Sequence, residues 1–183
     1  MTAADGRSGG EYVTPPLTFV DDEDRTIEIR EGSEDDIDAL VDLYVDFHHD
    51  DRSQGLPPRT EEKIRDWLSY VYPENSQHVV AWDGDRAIGH AFLVPAGDGR
   101  HELAIFVLRE YQAAHIGTEL MNTLLGYGRE EGITQVWLSV EAWNNHAITL
   151  YENFGFEKHN VARTEVEMAL QLDRDEGVPQ GDS

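Results

Sequence analysis

Residues His101 to Glu130 read H-E-L-A-I-F-V (101–107), L-R-E-Y-Q-A-A-H-I-G-T (108–118) and E-L-M-N-T-L-L-G-Y-G-R-E (119–130). The first piece is an apolar run bounded by turn residues, which predicts a strand buried on both faces. In the third, Leu120, Leu124 and Leu125 continue a stripe begun at Ile116, the spacing of an amphipathic helix. Between them lies a short loop of small residues, Ala113, Ala114 and Gly117, that opens straight into the helix. The first N–H groups of a helix have no partner inside it, and the dipole there is positive. A strand, such a loop and a helix N-terminus together make an anion site that works through the main chain.

Outward from this unit the chain alternates strand and helix signals. Upstream, Ile27 and Ile29 alternate in a strand over Thr26 to Arg30, and Ser33 with Asp36 makes a capping-box start. Ile37, Leu40, Val41, Tyr44 and Val45 form a helical stripe ending near His48. A loop follows, then a second helix over Arg59 to Tyr72 with Ile64, Trp67, Leu68 and Val71 on one face. His78 to Trp82 and Ala87 to Val94 read as a hairpin turned at Asp83-Gly84-Asp85. Downstream, Gln135 to Val140 predicts a buried strand and Asn144 to Asn153 a helix, with a last strand inside Val161 to Leu172. The order is β-α-α-β-β-β-α-β-α-β, an α/β (α+β) fold. Residues 1–25 read as a flexible polar arm, 26–172 as one domain and 173–183 as an acidic tail.

The chain has 37 acidic against 14 basic residues, a formal net charge of −23. That excludes DNA, RNA or an anionic membrane as the main partner. The acid is spread over both tails and most predicted helices. It therefore reads as solubilising surface charge of the kind halophilic proteins carry, more than as one focused patch. There is no Cys, hence no disulfide framework and no thiolate metal site. No run reaches membrane-helix length and no signal-peptide pattern opens the chain, so a cytoplasmic location is expected.

Y-Q-A-A-H-I-G-T (111–118) resembles the Q/R-x-x-G-x-G/A loop of the GNAT superfamily, the acetyl-CoA-dependent N-acetyltransferases. Gln112 takes its first position, Gly117 its last, and His115 stands where glycine is usual. V-E-A-W-N-N-H-A-I-T-L-Y-E-N-F-G-F (140–156) resembles the second signature of the same family, through Asn144, Ala147, Tyr151, Gly155 and Phe156. The resemblance implies a mixed, largely antiparallel sheet with helices on both faces. It also implies acetyl-CoA as co-substrate, no metal, and direct attack of a bound primary amine on the thioester in a ternary complex. Gln112, Ala113, Ala114, His115, Ile116, Gly117 and Thr118 would cradle the pyrophosphate. Ile105, Phe106 and Val107 would line the pantetheine arm, with the Val107 N–H polarising the thioester carbonyl. Asn144 would bond the same arm, and Tyr151 would protonate the leaving thiolate.

The general base stays open between Glu102 and Glu141, with His101 a third candidate. Family members that acetylate ribosomal-protein N-termini carry Glu where this chain has Ser139. The acceptor stays open as well, between a small molecule and a protein N-terminus or lysine, and a homodimer is allowed. An acetyl-CoA-binding sensor or scaffold is the rival reading. His48-His49-Asp50-Asp51 has a metal-cluster composition, but at adjacent helical positions it reads as a solvated helix end or as part of the acceptor pocket. Gly126, Gly128 and Gly132 follow a helix and lack dinucleotide-loop spacing.

Overall fold

The computed structural model describes residues 12–52 and 56–172, so most of the expected N-terminal arm and the acidic tail lie outside the described residues. Eight strands form one sheet in the order β1-β2-β3-β4-β5-β6-β8-β7. They are β1 (Leu17–Val20), β2 (Thr26–Glu31), β3 (Gln77–Asp83), β4 (Arg86–Pro95), β5 (Arg100–Val107), β6 (Gln135–Glu141), β7 (Glu157–Val161) and β8 (Glu165–Gln171). The helices are α1 (Ile37–Val45), α2 (Glu61–Val71), α3 (Ile116–Glu130) and α4 (Asn145–Asn153). All neighbouring pairs are antiparallel except β5 with β6.

Two strands depart from the expectation. The four residues of β1 fall inside the stretch read as an arm, behind Pro15-Pro16, and pair with β2 from Leu17↔Ile29 to Val20↔Thr26. β7 is exposed along its whole length, so it has no buried face to give a period of two. The arm is also docked: the Val13 N–H donates to Asn122 Oδ1 at 3.2 Å. A Cβ on Gly126 would lie 2.1 Å from the Val13 carbonyl oxygen. The bare Gly126 thus lets the chain cross α3.

The two faces of the sheet are told apart by β4. Gly89 lies under Leu120 and Leu93 under Gly128, so Gly89, Ala91 and Leu93 face α3. His90 and Phe92 face α1 and α2, where Tyr44 and Trp67 meet them. On β5, Phe106 touches Tyr44, Phe47 and Trp67. Alternation then puts Glu102, Ala104 and Phe106 on the α1/α2 face.

That face holds a buried polar chain. Val71 O accepts from His78 Nε2 at 2.8 Å, so neutral His78 must accept at Nδ1. His90 Nε2–H fills that position at 2.9 Å, and the Tyr44 hydroxyl donates to His90 Nδ1 at 2.6 Å. One carbonyl thus sets every tautomer in the chain. Burial holds His78 at about 4 and His90 well below the usual imidazole value.

Candidate active site

β5 was expected to be buried on both faces, yet only Leu103 is fully buried and most of the strand is half-buried. The reason is its second neighbour. β5 pairs with β4 over seven positions, from Gly89↔Val107 to Pro95↔His101. It pairs with β6 over three only, Arg100↔Gln135, His101↔Val136 and Glu102↔Trp137. Beyond Glu102 the two strands diverge, although β6 continues to Glu141 in register with β8. The result is a wedge, closed at Glu102 and open toward Val107.

Main-chain donors point into this wedge. The Leu108 N–H donates to Ile88 O at 3.0 Å. Antiparallel alternation then directs the N–H groups of Leu103, Ile105 and Val107 away from β4, toward β6. Beyond Val107 the chain turns at Arg109–Tyr111 and enters the loop before α3. Ala113 (φ 59°) and His115 (φ 76°) are both left-handed there. That conformation costs an L-residue about 1–2 kcal/mol, and His is one of the types that adopt it more readily. Alternating handedness of this kind gathers N–H groups into an anion-binding concavity. The His115 ring is turned out of the concavity and its Nδ1 meets Asp22 Oδ2 at 2.6 Å. Gly117 begins the first turn of α3, and a Cβ there would meet only Leu150 Cδ2 at 3.9 Å. The room in front of it is left free by the protein.

Leu150 belongs to α4, so α4 lies beside the start of α3. The next residue, Tyr151, is 8% exposed and packs on Phe156. Its hydroxyl has no hydrogen-bond partner among the described residues, and burial pushes it up to about 12. Such a phenol stays protonated at neutral pH and can only donate. Asn144 caps α4 with its Oδ1 accepting from the Ala147 N–H at 3.1 Å. Its amide NH₂ remains for other bonds.

The other candidates separate along the strands. Glu102 is half-buried at the closed end, and burial raises its carboxyl above the usual range. His101 lies at the same end, facing Val136, with burial lowering its imidazole. Glu141 ends β6 at the open side. Gln112 was expected to face the cofactor, but its amide donates to Val107 O at 3.0 Å and to Asp51 Oδ2 at 3.2 Å. Asp51 is also held by Arg109 at 2.9 Å. This joins the loop after α1 to the loop before α3, a link between distant positions that spacing alone does not reveal. His48, His49 and Asp50 sit in a short 3-10 turn rather than in α1, and their ligand atoms come within 4.8 Å of one another. His48 is already engaged there, by the Asp50 N–H and by Arg109.

The sequence model of the acetyltransferase (GNAT) family matches residues 37–156, from the first helix to the end of the second signature. The chain belongs to this family. The Xenopus tropicalis protein described as probable N-acetyltransferase camello is 33% identical over 126 residues, 65% of this chain and 54% of its own. The mycothiol acetyltransferase of Geodermatophilus obscurus is 38% identical over 89 residues, 45% of this chain and 29% of its own. This chain thus spans about half or less of these curated relatives. Among solved structures, the GNAT domain of S. lividans PAT superposes with a TM-score of 0.74 at 20% identity, covering 86% of this chain and 97% of that one. yncA of Salmonella typhimurium, solved with its cofactor acetyl-CoA, gives 0.66 at 19% identity over 85% and 99%. The GNAT fold accounts for the mixed, largely antiparallel sheet. No helix among the described residues is long and apolar enough to cross a membrane.

The residues present suit coenzyme A. The two left-handed residues and the bare Gly117 leave a cradle that any side chain at 117 would enter. Arg109, the guanidinium nearest in sequence, is taken by Asp51, so main-chain donors are what the loop offers an anion.

Proposed function

We propose that the protein is an acetyl-CoA-dependent N-acetyltransferase that moves an acetyl group to a primary amine by direct attack in a ternary complex. The observation that carries this reading is the wedge, where β5 leaves β6 after Glu102 beside the α3 cradle. Bound coenzyme A would supply an activated acyl thioester. The loop from Gln112 to Thr118 would hold its pyrophosphate, and the N–H groups of Ile105 and Val107 would bind the arm and the carbonyl oxygen. Tyr151 donates its hydroxyl proton toward the leaving sulfur. With its proton held at about 12, it acts as a strong hydrogen-bond donor that releases the proton only as negative charge builds beside it. The amine enters from the opposite face of the sheet, past Phe106 and the loop after α1. The unit responsible is residues 26–172, with β1 added at its edge.

The test is thiol release from acetyl-CoA across a panel of small amines, lysine peptides and peptide N-termini, beside calorimetric binding of coenzyme A. Turnover with one class of amine is expected. Tight binding with no turnover on any amine would replace this reading by the sensor one.

A further inference from the structure

The wedge geometry decides among the carboxylates. The acyl carbon has to lie beside Ile105 and Val107 if their N–H groups hold its oxygen. Glu102 is five residues from Val107, about 16 Å along a strand at ~3.3 Å per residue. It sits at the wrong end. Carrying the register forward from Glu102↔Trp137 sets Ser139 level with Ala104 and Glu141 level with Phe106. Next across the sheet, Glu141 is paired with Glu165 and Ser139 with Glu167. In-register neighbours share a face, so Ser139, Glu141, Glu165 and Glu167 all lie on the side of Phe106.

Two of these stand out. Glu165 is level with the open wedge but rooted one strand further away, on β8. Its carboxylate nevertheless reaches back over β6, where Glu165 Oε2 accepts from the Ser139 hydroxyl. A carboxylate oxygen has more than one lone pair, so this bond orients the group without exhausting it. Directly opposite stands Glu141, a second carboxylate with no ion pair among the described residues. Like charges directly opposed across strands are unfavourable. A cation between them would reverse the sign of that interaction.

We propose that Glu165, oriented by Ser139, is the proton acceptor for the incoming amine, with Glu141 beside it holding the ammonium. The proposal rests on the acetyltransferase reading above. The ammonium gives one proton to Glu165. The freed nitrogen pair forms the N–C bond as the C–S bond breaks, and the electron pair of that bond stays on sulfur. The second proton lost by nitrogen replaces the one that Tyr151 gives to the sulfur. The balance is one ammonium and one acyl thioester in, one amide, one thiol and one proton out. Ser139 is a positioning residue: it touches the carboxylate and not the amine. Glu167, two residues along β8, is the other titratable group on the same face beside Glu165.

The test compares Glu165→Gln, Ser139→Ala and Glu102→Gln in the full chain, using the best amine from the panel. Glu165→Gln should lower kcat by about 10²–10⁴ and remove the acidic limb of its pH profile. Ser139→Ala should lower kcat several-fold, raise KM for the amine little, and shift that limb. Glu102→Gln should leave the limb in place. Unchanged calorimetric affinity for coenzyme A, and an unchanged Tm, show that each variant is folded. A Glu165→Gln enzyme with wild-type kcat and pH profile overturns the proposal, as does loss of the limb in Glu102→Gln alone. If Glu165→Gln does not fold, Ser139→Ala decides: an unmoved limb overturns the proposal. A wild type that binds coenzyme A but acetylates no amine overturns the acetyltransferase reading, and this inference with it.

Discussion

β5 is treated in opposite ways on its two sides. Toward β4 it is closed along seven positions, and the face there is sealed under α1 and α2. The polar groups inside that half are neutral, and each is matched: Tyr44 to His90, His90 to His78, His78 to the Val71 carbonyl. Toward β6 it is open after three positions, and the same face carries the half-buried carboxylates Glu102, Glu141, Glu165 and Glu167. Burial without a partner is costly for a charge and tolerable for a satisfied neutral group. The sheet therefore places its neutral polar groups where it is complete and its charges where it is broken. Stability should reside in the first half and chemistry in the second.

The sharpest way to break this division is Tyr151→Phe. It keeps the ring and its packing on Phe156 and removes a hydroxyl with no partner among the described residues. We expect kcat to fall by about 10²–10⁴ with an unchanged Tm and a small change in KM for acetyl-CoA. A loss below about threefold, with chemistry shown to limit turnover, would mean Tyr151 is only packing.

The closed half should respond to acid. His78 has a folded value of about 4 against an ordinary 6.5, so the unfolded chain takes up the proton first. The contribution of neutral His78 is then complete above pH 6.5 and drains as pH falls toward about 4. It amounts to ~3 kcal/mol over the whole window, and ~1.4 kcal/mol by pH 5.5, where carboxylates are still ionised. His90 shifts in the same direction and adds to the loss. Melting temperature at pH 7.5 and 5.5 checks this, and equal values would defeat it.

At the boundary between the halves, Gly117→Val fills the cradle without touching the protein beyond Leu150. Calorimetric affinity for coenzyme A should drop at least about tenfold at nearly constant Tm. Gln112→Ala should cost less, because its amide serves Val107 O and Asp51. Equal and negligible effects of the two would remove the main-chain cradle from the account. The smallest effect expected is that of salt. Screening a net charge of −23 should raise Tm by about a few degrees between low salt and molar KCl. A flat or falling Tm would show that the surface acid is already compensated by spacing.

Local chemistry was enough to read most of this molecule. The stripe from Ile37 to Val45, the alternation at Ile27 and Ile29, and the Ser33–Asp36 capping box all rest on neighbours within one or two turns of chain, and the structure has them. The loop before α3 was legible for the same reason, since its work is done by main-chain groups and by small residues that leave them bare. β1 and β7 were not legible, because a four-residue edge strand and a fully exposed one carry no buried period. Some signal did exist for the acidic face. Glu165 and Glu167 alternate with buried Val166 and Met168, the pattern of a strand with one wet side. What that pattern does not contain is where the wet side looks. The wedge, the register that sets Glu165 level with Val107, and the buried Tyr44–His90–His78 chain each depend on pairing between segments far apart in sequence. No local preference encodes such pairing; it is decided when the strands choose their neighbours, and a shift of one residue would turn every one of these side chains to the other face.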